Sequence, residues 1–437
     1  MRYAPRAPWL DPAEQAEVCQ KLLQYELMEF SNKRDLPLKK GGTTDIYINE
    51  RNARNYPEAI DYLAKIYRNP LLRLGIDRFV EVPDSVSCFA GSLAQLTGIP
   101  YLTIREQAKV GRVAKAKVIG NPRRGEKVAV IDDVITDGAS KVEPFRECER
   151  MMLDIKALVV LVDRQQGWQR NFADNGITLP VWAGMTLHDV RKQLISVLGV
   201  MERCDKALEE KNPLIVALDG KSWDEILSVI DRLRPTGCIL KVNDLLFEKG
   251  IENLIPDLSV YGRVMADLKS HDIESTVANI AARLKKNPPW AVTVHASGGE
   301  KMIRAAVEML KGTQTKVLAV TVLTSFDKAT CEEIYSRLPL DEVKALAAIA
   351  HRAGAHGLVC SPEEVKILRA LYPNITLVTP GIRSAGVSAN DQVRIATPAA
   401  ARQNGADYLV MGRQILKDAP DPVAEVHRLL TEELFIV

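Results

Sequence analysis

From Leu214 onward, eight apolar strand-like runs follow one another with helical segments between most of them, and this repeat constrains the fold more than any other feature. The runs are LIVALD ending at Asp219, CILKV at Val242, VMADLK at Lys269, AVTVHA at Ala296, VLAVTVLTS at Ser325, HGLVCS at Ser361, ITLVTPG at Gly381 and DYLVMG at Gly412. Near-continuous apolar runs are what strands buried on both faces require. Eight such units in roughly 220 residues fit one (β/α)8 barrel. A barrel places its chemistry at the C-terminal strand ends and phosphate after strands seven and eight. The polar residues at these ends are Asp219, Lys241, Asp267, Lys269, Asp272, His295, Ser325, Arg383 and Arg413. Gly381 and Gly412 follow strands seven and eight, where free backbone N–H groups suit a phosphate.

The first half reads differently. A helical start over 12–29 precedes short apolar runs at Ile46–Ile48, Arg78–Val82, Tyr101–Ile104, Lys127–Ile131 and Lys156–Val162, separated by helical pattern. That alternation predicts an α/β domain with a mostly parallel sheet. Residues 187–211 read as helix, stopped at Lys211-Asn212-Pro213. The chain therefore divides into residues 1–205 and 206–437, and both parts are α/β.

At 46% hydrophobic and 26% charged residues, each half can bury a core without disulfides or metal. The net charge of +2 gives no global attraction to nucleic acid or membranes. Seven scattered cysteines, with no CxxC pair and no zinc spacing to the histidines, favour a reducing compartment and argue against a metal held by protein side chains. The first residues lack the apolar run of a signal peptide, so the expectation is a cytoplasmic protein.

The barrel half carries the denser chemistry. Asp267 and Lys269 lie two apart on strand three, which points them to one side of the sheet. Asp272 follows, and Lys241 sits near the end of strand two. A buried ion-pair network that only stabilises the barrel is the bland account. Desolvation offsets the attraction within such pairs, however, so four charges at the face where barrels react point to function.

The segment VMADLKSHDIESTVANI closely resembles the Asp-x-Lys-x-x-Asp-Ile-x-x-Thr signature of orotidine 5′-phosphate decarboxylases. The resemblance runs from Leu214 to about Lys417 and includes VALDG, LKVND, TVHASGG, AVTVLTS, LVTPGIR and ADYLVMGR in the family's order. It implies that Asp219 and Lys241 contact the ribose, and that Lys241 also orders the charged array. Asp267 would lie against the substrate carboxylate, and Lys269 would donate the proton that replaces carbon dioxide. Asp272 and Thr276 would reach into the partner subunit's site, making a homodimer. Ser325 would bond the pyrimidine edge, and Arg413 the phosphate, beside Gly381 and Gly412. No cofactor is implied. The family's phosphate-gripping Gln after strand seven is replaced by Ala385, leaving Ser384 or Ser388 as substitutes; Gln392 lies too far on to align with it.

In the first half, VAVIDDVITDGAS is an apolar strand followed by paired acids and a small, hydroxyl-rich turn. Asp132 and Asp133 suit ribose hydroxyls, while Thr136, Gly138 and Ser140 with their N–H groups suit a 5-phosphate. Asp-Asp pairs also occur as plain turn and capping residues. The run resembles the phosphoribosyl pyrophosphate motif of type I phosphoribosyltransferases. LPLKKGGTTDIYI and IREQAKVGR resemble segments of orotate phosphoribosyltransferases, matching Lys39, Arg105 and Lys109 to substrate-binding positions. The order, transferase before decarboxylase, is that of bifunctional UMP synthases. The resemblance implies orotate and phosphoribosyl pyrophosphate with Mg2+ as ligands of this domain. Glu106 departs from it, because a carboxylate beside a pyrophosphate leaving group is electrostatically wrong. Two alternatives stand beside this account: a first domain that only binds nucleotide or dimerises, and a different Asp-x-Lys barrel lyase acting on a sugar phosphate. The TVLTS segment with Ser325 opposes the second.

Overall fold

The computed structural model describes residues 7–32, 34–38, 43–105, 117–387 and 394–436. The chain forms two compact units, Met1–Glu202 and Arg203–Val437.

The first unit carries two short antiparallel pairs, β1 (Met28–Phe30) with β4 (Ile46–Ile48) and β2 (Leu36–Pro37) with β3 (Thr43–Thr44). Its main sheet comprises β5 (Arg78–Glu81), β6 (Tyr101–Ile104), β7 (Val118–Ile119), β8 (Lys127–Ile135), β9 (Asp154–Asp163) and β10 (Val181–Thr186). The order is β10-β9-β8-β5-β6-β7, parallel throughout except for β6 with β7. The central strands β8 and β9 are buried over Val128–Ile131 and Ala157–Val162, which explains their unbroken apolar runs. Tyr67, fully buried on the helix Pro57–Leu74, fastens that helix to the sheet. Its hydroxyl donates to the Asp132 carbonyl at 2.8 Å and accepts from the Leu161 N–H at 3.0 Å.

Three expectations are corrected here. The first helix stops at Gln24 rather than continuing to residue 29, because Glu26 adopts a left-handed φ of 54° and the chain turns into β1. Ile46–Ile48 pairs antiparallel with β1 and lies outside the parallel sheet. The single helix read over 187–211 is three pieces: Leu187–Lys192, a π-helical turn Gln193–Val197 and Lys206–Lys211. Gly199 at φ 62° ends the first stretch, and the Asp205 carboxylate caps the last by accepting from the Ala207 N–H at 2.8 Å.

The second unit is a closed barrel of eight parallel strands: β11 (Leu214–Ala217), β12 (Ile239–Val242), β13 (Val264–Ser270), β14 (Ala291–His295), β15 (Lys316–Val320), β16 (Gly357–Val359), β17 (Thr376–Thr379) and β18 (Tyr408–Met411). Each strand hydrogen-bonds to the next, and β11 pairs with β18 to close the ring. Ile215, Ile239, Met265, Ala291, Leu318, Val378 and Val410 form one cluster, with a contribution from every strand but β16, which adds the partly buried Val359. Filling the bore this way makes the barrel a packed core rather than a pore. The full burial of each large aliphatic chain contributes about 1.5–3 kcal/mol. Among the described residues no helix is long and apolar enough to cross a membrane.

Candidate active site

The charged array stands where strands one to three of the barrel end. Lys241 on β12 is flanked in register by Ala217 of β11 and Met265 of β13, and its side chain is almost fully buried. Its ammonium donates to Asp219 Oδ2 at 2.6 Å and to Asp267 Oδ2 at 3.0 Å. Lys269 donates to the same Asp267 Oδ2 at 2.6 Å. Two ammonium groups thus share one carboxylate oxygen. The other, Oδ1, accepts from the Thr293 hydroxyl at 2.9 Å. Asn243 donates to the Asp267 carbonyl at 2.6 Å, holding the backbone as well.

A local irregularity brings Lys269 into the array. On β13, Ala266 pairs with Val292 and Ser270 with Val294, so four steps along one strand oppose two along its neighbour. The surplus residues form a bulge, and within it Lys269 takes a left-handed φ of 48°. The Lys269 N–H is held there by the Thr293 hydroxyl oxygen at 2.8 Å. Simple strand alternation predicted a shared face for Asp267 and Lys269; the bulge is what delivers it.

Electrostatics follow from this packing. Burial works against the charge on Asp267, but Lys241 and Lys269 outweigh it and hold the carboxyl below its usual range. Burial likewise opposes the Lys241 ammonium, and Asp267 with Asp219 more than compensates, raising its pKa. His295, half-buried at the end of β14, lies 5.6 Å from His271 ring to ring. Burial, His271 and Lys269 lower its pKa against the opposing pull of Asp267, which favours the neutral imidazole.

The four charged residues of the array, but not His295 or Thr293, line a cavity of about 600 Å3. Asp219, Lys241, Asp267 and Lys269 come from strands one to three, and Gly381, Arg383, Gly412 and Arg413 from the ends of strands seven and eight. Gly412 packs closely on the first strand: a Cβ there would stand 3.3 Å from Ala217 Cβ and 3.4 Å from its carbonyl oxygen. Leu323 and Thr324 line the cavity after β15. Strand β15 ends at Val320, short of the predicted run, and Ser325 is exposed rather than among the lining residues. Asp272 and Thr276 are also absent from the lining; Asp272 is exposed and its carboxylate accepts from the Ile273 N–H at 2.7 Å. Ser384 is corrected as a phosphate substitute. Its hydroxyl is buried in contacts with Glu433, Gln414 and Arg428. Ser388 lies outside the described residues, as does Gln392.

Sequence reasoning missed Thr293 and Asn243. The Thr-x-His spacing on strand four was the available signal, since alternation sets Thr293 and His295 on one face.

In the first unit, β8 runs through both Asp132 and Asp133, which are buried. Asp132 ion-pairs with the buried Lys141. Asp133 accepts from the Val134 N–H at 2.7 Å, and burial raises its pKa despite that bond. Thr136 is half-buried and Ser140 exposed. Gly138, at φ 74°, starts the helix Ala139–Arg150; a Cβ there would come within 2.7 Å of the Phe172 ring. The Arg105 N–H donates to the Lys117 carbonyl at 2.8 Å just beyond β6. Lys39, Lys109 and Glu106 lie outside the described residues. Among the described residues no group of three or more His, Cys, Asp or Glu side chains is placed to hold a metal.

Comparison with known proteins agrees with the barrel geometry. Residues 212–429 match the model of the orotidine 5′-phosphate decarboxylase / HUMPS family. The orotidine 5′-phosphate decarboxylase of Pseudomonas putida (strain W619) is 41% identical over 227 residues, covering 51% of this chain and 97% of that protein. The orotidine 5′-phosphate decarboxylase of Marinomonas sp. (strain MWYL1) is 42% identical over 220 residues, covering 49% of this chain and 93% of that protein. A crystal structure of orotidine 5′-phosphate decarboxylase from Lactobacillus acidophilus is 35% identical, with a TM-score of 0.45, and covers 52% of this chain and 100% of its own. Through its barrel, the chain belongs to the orotidine 5′-phosphate decarboxylase / HUMPS family.

Proposed function

We propose that the barrel decarboxylates orotidine 5′-monophosphate to UMP, and that the first unit makes that substrate from orotate and phosphoribosyl pyrophosphate. The observation that carries the decarboxylase reading is the sharing of Asp267 Oδ2 by Lys241 and Lys269 inside the cavity. In the reaction the bond from C6 to the carboxylate breaks, its electron pair stays on C6, and carbon dioxide leaves. The Lys269 ammonium, fixed beside that carbon, stabilises the charge as it develops and then transfers a proton to C6. Asp267 lies against the departing carboxylate, while Asp219 and Lys241 hold the ribose. Gly381, Gly412 and Arg413 take the phosphate, joined by Arg383, which lines the same cavity. Binding energy from the remote phosphate offsets the cost of desolvating the reacting end. No cofactor is required by this chemistry.

Ser325 is assigned to the pyrimidine edge because its neighbours Leu323 and Thr324 reach the cavity. Asp272 and Thr276 are assigned to the partner subunit's site in a homodimer. Exposed Ile273, with 65% of its surface in solvent, stands between them and supports an interface there.

The transferase reading rests on the end of β8 and the turn after it: two acids in the strand, then Thr136, Gly138 and Ser140 leading into a helix. Mg2+ would enter with the pyrophosphate, and the hard oxygens of this turn are the donor type it takes. One observation favours the second reading, in which the first unit is a non-catalytic nucleotide-binding or dimerisation module. Asp132 is already paired with Lys141, so a ribose must compete with a buried ammonium for it. Following ultraviolet absorbance with each substrate separately tests both activities. Loss of orotidine 5′-monophosphate without orotate consumption would select the second reading. A protein inert toward orotidine 5′-monophosphate would remove the first. The pathway served is de novo pyrimidine synthesis in the cytoplasm.

A further inference from the structure

Each of the two cavity arginines at the phosphate end is followed directly by a buried residue of one polar network. Ser384 follows Arg383 and Gln414 follows Arg413. The Gln414 amide oxygen accepts from the Ser384 N–H at 3.0 Å, and its nitrogen donates to Ser384 Oγ at 2.6 Å and to Glu425 at 2.7 Å. Ser384 Oγ donates to Glu433 at 2.5 Å and accepts from Arg428 at 3.0 Å. Arg428 closes the circuit with bonds to Glu425 at 2.8 and 2.9 Å and to Glu433 at 2.9 Å. Ser384 and Gln414 are both nearly fully buried. A network whose buried members are satisfied fixes geometry, because Ser384 and Gln414, shielded from water, have few alternative partners.

We propose that Ser384 and Gln414 are positioning residues that lock the loops after β17 and β18 to each other. The C-terminal segment, through Arg428 and Glu433, is the brace that holds them. The effect is to set Arg383 and Arg413 at the separation a phosphomonoester needs. A phosphate bound by two cations from separate loops feels the spacing of those loops directly, since bidentate contacts fall off steeply with misplacement.

The proposal rests on the decarboxylase reading for the identity of the phosphomonoester. Its test therefore compares UMP with uridine, which differ only in the phosphate, by calorimetry on the full chain. The unaltered protein must first bind UMP more tightly than uridine; equal affinities would overturn the ligand reading itself. In Gln414→Met, of similar length but without the amide, UMP affinity should fall roughly tenfold while uridine affinity changes less than about twofold. Ser384→Ala, which removes only an oxygen, should show the same selective loss and serves if Gln414→Met does not fold. Adding Gln414→Met to Arg413→Ala should weaken UMP little beyond Arg413→Ala alone, because the amide acts through the arginine. Equal losses for UMP and uridine, or no loss in either folded variant, would overturn the proposal.

Discussion

Thr293 reaches from the fourth strand of the barrel to Asp267 on the third, its hydroxyl donating to Oδ1 at 2.9 Å. The Thr293 hydroxyl oxygen in turn accepts from the Lys269 N–H at 2.8 Å. One small side chain therefore fixes both the buried carboxylate and the bulge that carries the proposed proton donor. Thr293→Val keeps the shape and removes both bonds. The Lys269 N–H and one carboxylate oxygen lose their partner, at about 1–3 kcal/mol. The expected result is a lower urea midpoint together with a fall in kcat larger than any change in KM. An unchanged kcat in the folded variant would show that the bulge holds Lys269 without Thr293.

Lys269→Ala should abolish decarboxylation while the barrel stays folded. Removal of a positioned proton donor costs about 10²–10⁴-fold. Loss of the charge beside C6 adds to that deficit. Ultraviolet turnover assays and circular dichroism on the same sample separate chemistry from folding. Near-normal turnover would refute the assignment.

Mixing Asp272→Ala with Lys269→Ala protein should restore activity, provided each alone is inactive. In the mixed dimer one site lacks both defects if Asp272 serves the partner. The absence of recovery after verified subunit exchange counts against shared sites.

Two titrations have a definite sign. Asp267 has a folded pKa below its unfolded one, so its ion pairs stabilise fully above the unfolded carboxylate pKa and are lost as pH falls through the lower folded value. His295 is also depressed, from an ordinary value of 6.5. It too costs stability as acid forces a proton onto it, and its imidazole signals in nuclear magnetic resonance should titrate below those of a free histidine. A His295 transition at or above the ordinary value would contradict the burial and the neighbouring Lys269 charge.

For the first unit, calorimetry with phosphoribosyl pyrophosphate and Mg2+ should register binding, and Asp133→Asn should weaken it. Glu106→Lys should raise pyrophosphate release if the loop otherwise closes correctly, because it replaces an opposing charge with a favourable one. No binding heat and no thermal stabilisation at millimolar ligand would leave the domain as a structural partner of the barrel.

The barrel was legible because its strands are buried on both faces, so each wrote a continuous apolar run into the sequence. The parallel core of the first unit was legible for the same reason in β8 and β9. The edge strand β10 was not: Val181–Thr186 is neither continuously buried nor regularly alternating and contains Gly184, a weak strand pattern. The broken helix over 187–211 was hidden because one left-handed glycine, Gly199, outweighed an otherwise helical composition. In the site, charged residues at strand ends announced themselves. Thr293 did not, because a threonine in a strand is ordinary by propensity, and only the register across β13 and β14 reveals its bonds. The carbonyl partner Asn243 was silent for the same reason, as its role depends on where Asp267 folds.

The barrel closes by pairing its first strand with its last, Leu214 with Leu409 and Val216 with Met411. Asp219 and Arg413 follow those two strands, so the cavity straddles the seam of the ring. During synthesis the ribosome must deliver nearly the whole domain before these two ends can meet, and no shorter nascent chain holds both the ribose side and the phosphate side of the pocket. Ligand can then contribute nothing to early folding and everything to the final closure. A circular permutant that joins the two ends and opens the ring between strands four and five would invert that order, assembling the pocket across a continuous stretch of chain while leaving its chemistry untouched.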